Sequence, residues 1–146
     1  MVDASTLVGE LLRERGRRLF ASPYLDLYVP AWMWGETRHE VQSRLGIMVN
    51  RGLPEPLADS FWQAAMRVKE RSVIEVPEET YESLKGEALS RLPRDARDWP
   101  VVALALSLGA DILTEDGDFL GCGVATWTVD TLIAQLELRG GLPFAP

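Results

Sequence analysis

The segment from Asp95 to Asp118 limits the possible folds more than any other part of the chain. Residues 95–108 have helical spacing, with Asp95 and Asp98 near the start and Val101, Val102, Leu104, Ala105 and Leu108 left for a core. Gly109 ends that helix. Residues 110–114 then form a short apolar run of the kind found in strands covered on both faces. An acidic turn, Glu115-Asp116-Gly117-Asp118, follows at once. A helix feeding a fully buried strand requires layers on both sides of a sheet, which is the logic of an α/β fold.

The rest of the chain repeats the alternation. Helices are expected over 6–20, 31–49, 57–69, 77–92 and 129–138, with Ser5 or Thr6 as the cap of the first. Strands are expected over 25–29, 72–76, 110–114 and 124–128. Right-handed crossovers turn this order into a mostly parallel sheet, with its ligand crevice outside the carboxyl ends of the strands. Asp3 and Asp116 fall on that edge, and Glu36 and Asp98 reach it from helices that begin there. With 146 residues, one compact domain over 1–146 is expected.

Charge narrows the function classes. The net charge of -7 argues against coating a nucleic acid by bulk attraction, yet allows an enzyme that grips phosphates locally. Of the 15 basic residues 13 are arginine, the side chain suited to forked phosphate contacts. Arg13, Arg15, Arg17 and Arg18 form the densest group, either a solvated helix face or a substrate or partner contact. The single cysteine, Cys122, has no partner for a disulfide or a zinc site, in keeping with a reducing, cytoplasmic setting. The first residues lack the pattern of a secretory signal, and the longest apolar run, 101–108, is too short to cross a bilayer. No glycine-rich phosphate loop follows any expected strand, which weighs against a nucleotide-dependent α/β protein.

The acidic residues carry the chemistry, and each also has a plain reading. Residues 115–118 are equally an ordinary acidic turn, Asp98 a partner of the helix dipole, and Asp95 an N-cap. Glu36 and Glu40 share one helix side and suit solvent, while His39, the sole histidine, fits a surface position better than a general base. Trp32, Met33 and Trp34 read as packing rather than a base-stacking platform. Taken together, carboxylates converging on one crevice repel, and each drifts toward protonation unless a cation lies among them. Magnesium suits a carboxylate set that lacks sulfur and paired histidines. Such an ion activates water and polarises a phosphate.

The stretch from Asp98 to Phe119 resembles the C-terminal half of a PIN domain, and the likeness extends through 124–136 and back to Val2-Asp3-Ala4-Ser5. The resemblance implies a three-layer α/β/α fold around a parallel sheet and a ribonuclease that uses Mg²⁺ or Mn²⁺. It assigns Asp3, Glu36, Asp98 and Asp116 as catalytic metal-binding residues, Asp118 as an accessory ligand, and Thr114 as a supporting hydroxyl. It also implies cleavage that leaves a 5′-phosphate, an RNA substrate, a homodimer and, in a toxin role, a small antitoxin protein as partner. A free-standing RNA-processing enzyme has the same site. The competing class is a binding or assembly module that kept the fold and lost catalysis. Two departures favour it. Ser5 stands where the family usually has asparagine, and only Met1 and Val2 precede the first acid, so the central strand is expected to be unusually short.

Overall fold

The computed structural model describes residues 1–92 and 94–140, so the last six residues of the expected 1–146 domain lie outside the described part. Its helices are α1 (Ala4–Leu11), α2 (Glu14–Phe20), α3 (Ala31–Asn50), α4 (Glu55–Ser72), α5 (Lys85–Arg91), α6 (Trp99–Leu108) and α7 (Val129–Leu138). The strands are β1 (Leu27–Pro30), β2 (Val73–Val76), β3 (Ile112–Leu113) and β4 (Thr126–Trp127). They form two parallel pairs, β1 with β2 and β3 with β4, in an α/β chain.

Residues 1–3 connect the two pairs. The Val2 N–H donates to Tyr28 O at 3.2 Å on one side. On the other, Leu113 N–H donates to Met1 O at 2.7 Å, and Asp3 N–H donates to Leu113 O at 3.1 Å. Val2 is thus a parallel bridge partner of Leu113 and is fully buried. The short first strand is compensated by its neighbours, which satisfy the backbone groups that brevity put at risk.

The core is continuous from α1 and α2 through β1 and α6 to β3 and α7. Leu7, Leu11, Leu19, Phe20, Val29, Val102, Leu104 and Ile112 are among its fully buried members. α6 owes its place to composition: Pro100 stands in its first turn, its next five residues are buried, and Gly109 closes it at φ 59° in the left-handed region. At α7 the expected bounds hold, because Thr128 and Thr131 cap it reciprocally.

Besides β3 and β4, which are shorter than the expected 110–114 and 124–128, and α6, which begins at Trp99 after a 3₁₀ turn rather than at Asp95, three expectations need correction. The single helix over 6–20 is two helices, broken at Arg13, whose backbone is extended. Gly16 explains the corner: a Cβ there would stand 2.4 Å from both Cβ and O of Glu10, so only glycine lets α2 pack back onto α1. The cap of α1 is Asp3, not Ser5 or Thr6. The helix expected over 77–92 is two short 3₁₀ turns, Glu78–Thr80 and Glu82–Leu84, followed by α5. Tyr81 between them is fully buried and packs at 5.9 Å against Trp99, so tertiary packing overrides the local helical pattern.

Candidate active site

Asp3 follows the bridge at Val2 and opens α1. Its Oδ1 accepts the Thr6 N–H at 2.8 Å and the Ser5 hydroxyl at 3.0 Å. Its Oδ2 accepts the Thr6 hydroxyl at 3.2 Å. Only 4% of Asp3 is exposed, so this carboxylate is fixed by its own helix start. Ser5 therefore supplies a donor to the first acid even without an amide.

Thr6 has a second role. Its Oγ1 accepts the Glu115 N–H at 3.1 Å, which ties the loop after β3 to Asp3. In that loop the buried Thr114 Oγ1 accepts the Asp116 N–H at 3.0 Å. Asp116 Oδ1 accepts the Asp118 N–H at 2.8 Å, capping the turn Gly117–Phe119. Glu115 Oε1 accepts the Val129 N–H at 2.8 Å and so joins the loop to the start of α7. The backbone roles of Thr6 and Glu115 are not visible in a search for ligand residues. The available signal for Thr6 was the three-residue spacing from Asp3, which is that of an N-cap.

Asp98 ends the 3₁₀ turn Ala96–Asp98 and immediately precedes α6. Its carboxyl is pushed up to about 6, first by burial and then by the negative charges of Asp95, Asp116 and Asp3. Asp95 contributes because it stays ionised. Hydrogen bonds from the Arg97 side chain and backbone hold it at about 2, with Arg97 Nη2 donating to Oδ2 at 2.8 Å and Nε to Oδ1 at 3.1 Å. The cap role expected for Asp95 holds for this 3₁₀ turn.

Glu36 occupies different surroundings. It is exposed on α3 and lines a cleft of about 620 Å³ between α1 and α3, shared with Ser5, His39, Glu40 and Arg44. His39 is exposed, as expected for a surface residue. Asp118 accepts from Arg94 Nη1 at 3.4 Å and is partly committed there. Asp3, Asp98 and Asp116 thus share one electrostatic field, while Glu36 approaches through the cleft beside Ser5.

The donor set fits a hard divalent cation in kind, being carboxylates and hydroxyls, with Asp98 pushed up by burial and by the charges of the neighbouring acids. In spacing it is open: among the described residues no three Asp, Glu, His or Cys side chains stand close enough to hold an ion as they are.

An acidic edge thus lies beyond the parallel strands of an α/β chain, the place where such sheets hold their ligands. The chain belongs to the PIN domain family, whose model matches residues 1–137. PIN domains are generally nucleases that act on nucleic acid and use divalent metals. No curated protein matches the chain at a significant level. Among the described residues no helix is long and apolar enough to cross a membrane.

Proposed function

We propose that this PIN domain is a Mg²⁺- or Mn²⁺-dependent ribonuclease in which Asp3, Glu36, Asp98 and Asp116 hold the metal and Asp118 assists. The observation that carries the reading is the placement of Asp3, Asp98 and Asp116 at one edge, where Asp98 is pushed up first by burial and then by the charges of Asp95, Asp116 and Asp3, a penalty that a cation would relieve. In this reading the two strand pairs are halves of one parallel sheet stitched by residues 1–3, within a three-layer α/β/α domain. Asp3 and Asp116 are preset by their hydrogen bonds, whereas Glu36, exposed on α3, turns inward on binding. A bound divalent cation supplies Lewis acidity at a phosphoryl oxygen. Thr114 and Ser5 orient the carboxylate edge. The cut leaves a 5′-phosphate.

The reading extends to a cytoplasmic setting, a homodimer and, in a toxin role, a small antitoxin. Trp32, Ile47 and Met48, each more than two-fifths exposed on α3, offer apolar surface to such partners. A second reading, a non-catalytic binding module, is favoured by one observation, the open spacing of the acids.

Incubation of metal-stripped protein with single-stranded RNA and added Mn²⁺ separates the two. Metal-dependent cleavage by wild type, reduced at least about 10²-fold in a folded Asp116→Asn variant, is expected. RNA left intact by a folded wild type at every metal concentration supports the module instead.

A further inference from the structure

A second concentration of like charge lies away from the acids. A cleft of about 220 Å³ between α2 and α4 is walled by Arg17, Arg67, Arg71 and Ser72, with Ala21 and Ala64, and no carboxylate lines it. In a chain of net charge -7, three guanidinium groups that line one cleft with no acid in its wall need an explanation. Ser72 immediately precedes β2, so the cleft lies at the amino end of that strand, whereas the acids follow the carboxyl ends of theirs.

Arg17 is the fixed member. Its Nη1 donates to Leu11 O at 2.9 Å and its guanidinium lies 5.9 Å from the centre of the Phe61 ring. Burial lowers its pKa against an upward pull from the Glu14 charge, and among the described residues no carboxylate stands within ion-pair distance of it. Arg67 and Arg71 are exposed, four apart on one face of α4, and among the described residues neither has an ion pair. Like charges at that spacing repel. Helix ends account for part of the arrangement, because Arg17 and Arg71 stand in last turns where backbone carbonyls favour cations. They do not account for Arg67, nor for the lack of any acid in the lining.

We propose that this cleft is a binding site for a phosphoryl group. Guanidinium forks match phosphate oxygens, and the Ser72 hydroxyl adds a donor. The volume falls below the roughly 300–1,000 Å³ typical of drug-sized ligands, so the site takes one phosphoryl group and not a whole nucleotide. That group comes either from a free phosphorylated small molecule or from the backbone of a nucleic-acid strand.

The test is a titration of ¹⁵N-labelled full-length protein with inorganic phosphate, in metal-free buffer at ionic strength matched with chloride, followed by amide spectra. Saturable shifts at Ala21, Arg71 and Ser72 are expected, weakened at least about tenfold in an Arg67→Gln/Arg71→Gln variant. Both positions are exposed, so the variant's own spectrum serves as the control for folding. Arg17 is left intact because it packs on Phe61. A second arm uses a short RNA without terminal phosphates. If it moves the same amides and the variant weakens it likewise, the group belongs to a strand; if phosphate alone does so, the ligand is a small molecule. Absence of saturable shifts with both probes, or equal affinity in the variant, overturns the proposal. Neither arm requires catalysis, so the outcome is independent of the nuclease reading.

Discussion

The carboxylate edge and the arginine cleft are both gatherings of like charge, and the chain builds them differently. At the edge, Asp3, Asp95 and Asp116 each accept a backbone N–H, from Thr6, Arg97 and Asp118 respectively, so short side chains are locked where the backbone puts them. In the cleft only Arg17 is anchored, while Arg67 and Arg71 extend into solvent. Short, backbone-bonded acids lose little further entropy on meeting a ligand, whereas ordering two long arginines costs about 1.5–2 kcal/mol each in rotamer freedom. The edge is therefore suited to fixed coordination and the cleft to looser capture of an anion. Between them lies one core, in which α6 carries Asp98 at its start.

The largest expected effect breaks that core. Leu104 is fully buried in α6, and Leu104→Ala should cost about 2–5 kcal/mol in urea denaturation. A loss under about 1 kcal/mol contradicts a shared core, since that is the scale expected of an exposed site.

Asp98 sharpens the contrast through pH. Its folded value of about 6 lies above the ordinary 3.8, so between these the native state binds more protons than the unfolded one. The contribution of Asp98 to stability is then best below about pH 4, falls as pH rises to about 6, and is flat beyond. In metal-free buffer Asp98→Asn should gain Tm relative to wild type across that window. Parallel Tm profiles from pH 4 to 6 would show that neither burial nor the neighbouring acids raise this carboxyl.

The smallest effect concerns an unmatched group without charge. Thr37 is 1% exposed on α3 and its Oγ1 has no hydrogen-bond partner. Thr37→Val keeps the shape and removes the orphan hydroxyl, so a gain of about 1 kcal/mol is expected in the same denaturation assay. A loss of that size would reveal a partner for the hydroxyl in solution.

Much of this was legible in the sequence, for physical reasons. The run from α6 through Gly109 to β3 is set by composition, because a helix with six consecutive buried residues has no other place to go. The bounds of α7 follow from Thr128 and Thr131, whose capping is local. The corner between α1 and α2 was hidden, since Gly16 matters only through its approach to Glu10. Asp3 as a cap was readable from its spacing to Thr6, but the bond from Glu115 to that same threonine spans 109 residues and depends on the folded sheet. The arginine cleft was half legible. Arg17 stood out in a basic cluster, while Arg67 and Arg71 join it only once α4 packs beside α2.

The central claim is that the acids gather around a divalent cation, and calorimetry with Mn²⁺ near neutral pH, on metal-stripped wild type and Asp116→Asn, tests it most directly. The account predicts saturable binding by the wild type that the substitution abolishes or weakens by more than the roughly 10- to 100-fold cost of losing a group that only supports a ligand. Equal binding by both folded proteins, or none by either, contradicts it.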